Sequence, residues 1–265
     1  MKLVAYATAL LLCLLASPAR ADVTTGKAAF EAGDYAASFR ELKTPADGDD
    51  AEAQRLIGLM YRDALGTVRD YDQAIKWFSI SAAYGSPAGQ HDLAAMYDEG
   101  RGVIPDHAEA AVWYRRAAEQ GYAPAQSELG EMYGTGRGVE RDYVESVKWW
   151  RQAAEQGHAE AQYYLGVAYE YGYGTDVGTT QAVKWWRLAA DQGNANAQRA
   201  LGDAYLWGEG ADRDLVMAHM WFDLATAQGN ERAKIRLDFV AKILTPAERA
   251  KALKWAEAWR QAQGK

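Results

Sequence analysis

Only one cysteine, Cys13, occurs in this chain of 265 residues, and it sits inside an N-terminal segment that reads as removable. Without it there is no disulfide framework, no thiol nucleophile and no thiolate metal site. Histidine is nearly as scarce. His91, His107, His158 and His219 form neither a His-x-x-x-His nor a His-Glu-x-x-His spacing, so no metal site is expected. No Gly-x-Ser-x-Gly elbow marks an activated serine. Positive charge is also short, with 29 Lys and Arg against 36 Asp and Glu. A chain of that sign has no electrostatic reason to hold nucleic acid or anionic lipid. These absences imply neither a catalytic group nor a cofactor, and the expectation is that the chain is not an enzyme.

Long apolar runs are missing everywhere but at the start. Lys2 precedes an apolar stretch from Leu3 to Ala16, and Ala19-Arg20-Ala21 then puts small residues where a signal peptidase reads. Residues 1–21 are therefore expected to be a signal peptide cleaved after Ala21. A lipoprotein reading of Cys13 is weaker, because Leu12 stands where a lipobox needs a small residue. Loss of Lys2 and Arg20 moves the formal charge from −7 to −9. The expected location is periplasmic or secreted, with no stable membrane insertion after cleavage.

What the sequence has in abundance is repetition. Rows of 36 residues align without a gap from Ala51 to Asn230. Gln54, Gln90, Gln126, Gln162 and Gln198 share a column, as do Tyr61, Tyr97, Tyr133, Tyr169 and Tyr205. Glycine fills two further columns, at 66, 102, 138, 174 and 210 and at 85, 121, 157, 193 and 229. Trp77, Trp113, Trp149, Trp185 and Trp221 fill another. A fixed period of this length marks a solenoid, in which each repeat buries its apolar face against its neighbours.

Each repeat reads as two helices. In the first, Gln54, Ile57, Gly58 and Tyr61 are spaced i, i+3, i+4 and i+7 on one face of helix A. Helix B starts near Tyr71, carries Ala74, Phe78, Ser81 and Ala82, and ends at Gly85. Small residues at 58 and 81 and their equivalents let the two helices approach closely. The Gly-x-Gly pairs at 100/102, 136/138, 172/174 and 208/210 follow a helix and lack a third glycine, so they read as turns between helices A and B and not as phosphate loops.

Ala125-Gln126, Leu129-Gly130, Met132-Tyr133-Gly134, Gly136-Arg137-Gly138-Val139, Asp142-Tyr143, Val147-Lys148-Trp149-Trp150 and Ala153-Ala154-Glu155-Gln156-Gly157 resemble the Sel-one-like repeat of the tetratricopeptide superfamily. The resemblance recurs in five registers over 51–230. It implies an all-α, right-handed superhelical solenoid of TPR-like helix-turn-helix repeats, used mainly as a scaffold for protein partners and, in bacteria, often exported. A cysteine-rich branch with proposed penicillin-binding or β-lactamase activity shares only the period, because the cysteines are missing here.

The ends differ from the middle. Residues 22–50 are expected to cap the array, with a shortened helix B from Tyr35 to Lys43 and a loop from Thr44 to Asp50. Residues 231–265 are expected to cap the other end. There Lys234 and Leu237 keep the helix A register, and Thr245-Pro246-Ala247-Glu248 forms a capping box before a last helix carrying Leu253, Trp255 and Trp259.

A partner would bind where the columns vary. At 100° per residue, the face of helix A opposite its core carries columns 52, 56, 59 and 63. By resemblance, this face lines the inner groove. In its middle stand Asp92, Glu99, Glu128 and Glu131, and toward the C-terminal end Tyr164, Tyr171 and Trp207. Trp207 shares its column with Asp63, Glu99, Thr135 and Tyr171, so the scaffold does not require an aromatic there. An acidic patch beside an aromatic one suits a protein or peptide with basic and apolar residues. These seven residues are the candidate contact set of an exported scaffold or adaptor acting on an envelope signalling or assembly partner. The competing class is a cell-wall-associated glycan binder or hydrolase, in which the same aromatics would stack on sugar.

Overall fold

The computed structural model describes residues 23–264, so the expected leader lies outside the described residues. Among the described residues there are fourteen α-helices and no strand, an all-α, TPR-like repeat fold. The chain divides into two compact bodies between Ser81 and Ala82.

The first body holds α1 (Val23–Glu31), α2 (Tyr35–Asp47), α3 (Ala51–Asp63) and most of α4 (Tyr71–Ala83). Helices α3 and α4 are the first repeat's A and B. They meet where Gly58 faces the fully buried Phe78 ring, and a β-carbon on Gly58 would lie 2.6 Å from it. Ser81 Oγ donates to the Ala51 carbonyl at 2.7 Å and closes the same pair. Helix α2 is not the shortened helix expected from the sequence. It has the full 13 residues and passes through Pro45, so the loop shrinks to 48–50. Proline costs an amide donor, but this one falls in the last turn, and the burial of Leu42 and Ala46 on either side of it offsets the loss.

The second body contains α5 (Pro87–Glu99), α7 (Ala123–Thr135), α9 (Ala159–Tyr171) and α11 (Ala195–Trp207) as the A helices. Helices α6 (His107–Glu119), α8 (Tyr143–Glu155), α10 (Thr179–Asp191) and α12 (Leu215–Ala227) are the B helices, followed by α13 (Glu231–Ile243) and α14 (Pro246–Ala262). In three of its repeats the glycine of helix A (Gly130, Gly166 or Gly202) again meets a ring of helix B, and in the second repeat the small Ala94 takes that place. A β-carbon on Gly166 would lie 2.4 Å from the indole of Trp186, so no larger residue fits without separating α9 from α10.

Between repeats, the invariant columns supply polar links. Nε2 of Gln126 donates to the Ala118 carbonyl at the end of α6, and its Oε1 accepts from Gln156 past the end of α8 at 2.7 Å. Gln90, Gln162 and Gln198 repeat this pattern. Each of these four glutamines therefore ties the ends of two successive B helices, satisfying carbonyls that a helix terminus leaves open. The tyrosine column does similar work, with Tyr133 and Tyr169 hydroxyls accepting from Arg115 and Arg151 of the preceding helix B at 2.6 and 2.9 Å.

The Gly-x-Gly pairs are turns, as expected. Gly100, Gly136, Gly172 and Gly208 end the A helices in the left-handed conformation. The second glycine lets one repeat approach the previous one, since a β-carbon on Gly138 would lie 2.0 Å from the His107 carbonyl oxygen. The column of Phe78, Tyr114, Trp150, Trp186 and Phe222 is buried throughout, and Trp149 and Trp221 are buried in the tryptophan column. Both aromatic columns are packing residues.

At the C-terminal end, the capping box forms as the sequence predicts, with Glu248 accepting from the Thr245 amide at 2.8 Å. Leu253 is exposed, however. The last helix buries Ala252 and Ala256 and sets Trp259 edge-on against Trp221, so it docks by small residues that admit a close approach.

Candidate functional site

All seven candidate contact residues lie in the second body, on α5, α7, α9 and α11. The helix A face is less uniform than the single-helix projection implies. Column 56 is largely enclosed, with Leu56, Asp92 and Ala200 buried and Glu128 and Tyr164 half-buried. The cause is visible at Tyr164, whose ring stacks on Trp150 of the preceding helix B with centroids 5.0 Å apart. One flank of helix A is thus closed by the previous repeat. Column 63, at the C-terminal end of each A helix, stays open, with Glu99, Thr135, Tyr171 and Trp207 all exposed.

The acidic residues fall into different environments. Asp92 is buried beside His91, whose Nδ1 lies 3.4 Å from its carboxylate, and so presents no charge to solvent. Glu99 pairs with Arg101. Glu131 has Arg137 at 3.8 Å, and the same guanidinium lies 3.2 Å from Asp98, which also accepts from His107. Among the described residues Glu128 has no ion-pair partner within 4 Å, and the more distant His91 and Arg137 only partly offset its neighbours. Burial, and then the neighbouring charge of Glu131, push its carboxyl up to about 7. Glu131 also contributes, after burial, to raising the Tyr164 phenol, which brings Glu128, Glu131 and Tyr164 into one electrostatic neighbourhood.

Tyr171 belongs to a second cluster that the sequence reading did not identify. Its ring stacks on Tyr173 at 5.6 Å, and Tyr173 stacks on Tyr143 at 5.1 Å, all three exposed. Tyr173 occupies the middle of a Gly-x-Gly turn where other repeats carry Leu65, Arg101, Arg137 and Glu209, and that irregularity was readable. Trp207, 52% exposed, has the Arg236 guanidinium of α13 over its ring at 5.8 Å. The structure therefore joins Glu128, Glu131 and Tyr164, surrounds Tyr171 with two further tyrosines, and gives Trp207 an arginine neighbour. Among the described residues no group of three His, Cys, Asp or Glu side chains is placed to hold a metal ion.

Pairs of 13-residue helices tied by a glutamine, a tyrosine and two turn glycines define a helix-pair repeat protein. The chain belongs to the Sel1 repeat family, whose pattern matches residues 51–86, 87–122, 123–158, 159–194 and 195–230. It is similar to a Sel1 repeat protein from Oxalobacter formigenes, with 30% identity and a TM-score of 0.78 over 88% of this chain and 96% of that one. It is also similar to a protective antigen present in uropathogenic Escherichia coli strains displaying an SLR fold. There the identity is 27% and the TM-score 0.59, over 90% of this chain and 60% of the antigen. An immunity protein from Pseudomonas aeruginosa shares the fold at 19% identity and a TM-score of 0.51, over 76% of this chain and 81% of the other. A comparison with curated proteins finds no match. Sel1 repeat proteins are in general scaffolds for protein–protein interaction.

Proposed function

We propose that this protein is an exported scaffold that holds a protein partner of the cell envelope on the open part of its helix A face. Tyr171 and Trp207 are the main contacts, and Tyr164, Glu99, Glu128 and Glu131 border them. One observation carries the reading. Aromatics required by the repeat are buried or half-buried, whereas Tyr171 and Trp207, in a column that tolerates any residue type, are 58% and 52% exposed. Large aromatics left in solvent at positions the fold does not need are the residues that dominate protein interfaces. Export is supported by the leader-like order of Lys2, the apolar run and Ala19-Arg20-Ala21. No helix among the described residues is long and apolar enough to cross a membrane.

The test is affinity capture from an envelope extract with the parent and with a Tyr171→Ala, Trp207→Ala double variant of unchanged melting temperature. The parent is expected to retain a partner that the variant loses. A partner retained equally by both would remove these residues from the interface.

A further inference from the structure

Helix α13 extends the candidate face by one more helix and reverses its charge. It has the 13-residue length of an A helix, and columns 52, 56, 59 and 63 continue into it as Arg232, Arg236, Phe239 and Ile243. Its packed side is Ala233 and Val240, both fully buried against α12 and its surroundings. On the open side Ile235, Phe239 and Ile243 follow at i, i+4 and i+8 and are 70%, 46% and 49% exposed. Helix α14 does not take the helix B role for α13. It turns back onto α12, where Trp259 meets Trp221 and Arg260 pairs with Asp223 at 3.1 Å. An apolar stripe of three large residues, on the helix whose Arg236 lies over the exposed Trp207 ring, exceeds the scattered exposure that a folded surface normally shows.

The charge around the stripe says what covers it. Arg199 on α11 and Arg232 and Arg236 on α13 border a shallow groove. A single carboxylate in that groove, Asp203, serves both Arg199 and Arg236. The patch is net positive on a chain whose formal charge is −7. Another copy of so acidic a chain is repelled overall, whereas a segment that alternates acidic and apolar residues matches both the arginines and the stripe.

We infer that the groove between α11 and α13 docks an acidic, amphipathic segment of the partner, its apolar side on Ile235 in the groove and on Phe239 and Ile243 further along α13, and its carboxylates on Arg232 and Arg236. This rests on the helix A face being the partner site. It gives the bound segment a direction, with the acidic end on α13 and the other end toward Glu128 and Glu131.

The experiment pans a random 15-residue peptide display library against the full mature chain, then measures resynthesised peptides by fluorescence anisotropy. Enriched peptides are expected to be acidic and apolar, to bind more weakly as salt rises, and to lose at least tenfold in affinity with Arg232→Glu/Arg236→Glu and with Phe239→Ala. Enrichment of basic peptides, absence of enrichment, or indifference to charge reversal would overturn the inference. So would a dimer in sedimentation that Phe239→Glu disperses, because the occupant would then be a second copy. If Tyr171→Ala abolishes peptide binding while the arginine variants do not, this inference fails and the helix A face stands; if neither changes it, both fail.

Discussion

At the scale of single residues, departures from a column carry more information than the column. Ala64 stands where later repeats end helix A with Gly100, Gly136, Gly172 and Gly208, yet it holds the same left-handed conformation at φ 60°. A β-carbon is unfavourable there, so Ala64→Gly should stabilise the protein by about 1 kcal/mol in urea unfolding. Glu128 is the opposite kind of exception, a carboxyl held near 7 by burial and by Glu131. Because its folded value lies above the unfolded one, the folded state prefers the proton. The contribution of Glu128 to stability is therefore full below about pH 4.5 and lost as pH rises through 7. Glu128→Gln should remove that loss, gaining about 1–2 kcal/mol at pH 8 and little at pH 4 once partial solvent screening is counted. Urea midpoints of the two proteins across that range check the sign. The same protonation weakens Glu128 as a steering charge near neutral pH.

Among the elements, the helix pairs were legible because the two periods, 3.6 and 36, leave marks in every row. Gln126, Tyr133 and Gly138 could be recognised as required, but their tasks could not, since each acts on a neighbouring repeat that a single row does not display. The enclosure of column 56 was hidden for the same reason. A projection of one helix places Asp92 and Tyr164 opposite the core and takes no account of the Trp150 ring stacked on Tyr164 from the previous repeat. Pro45 misled in another way, because a local breaker signal was overridden by the burial of Leu42 and Ala46. Helix α14 closes the last packed face by covering Trp221 and packing Ala256 beside it. Truncation after Thr245 should expose that ring and lower stability by about 2–4 kcal/mol, read as a lower urea midpoint with most helical signal kept. An unchanged midpoint would mean that α14 contributes nothing to the array.

For the whole molecule, side chains divide into those that build the array and those that the array leaves free. Links between neighbouring repeats, the glutamine and tyrosine columns above all, make stability a sum of local interfaces. Surface positions can then change without cost to the fold, which is how column 63 comes to hold Glu99, Thr135, Tyr171 and Trp207 in successive repeats. The most direct test of this division compares two tryptophans of one chain by urea unfolding. Trp149 is 8% exposed in the column that is tryptophan in every repeat, and Trp207 is 52% exposed in a column that varies. Trp149→Ala is expected to lose about 3–5 kcal/mol, while Trp207→Ala stays within about 0.5 kcal/mol of the parent. Equal losses from the two substitutions would contradict the account, because Trp207 would then be part of the fold and not free to bind.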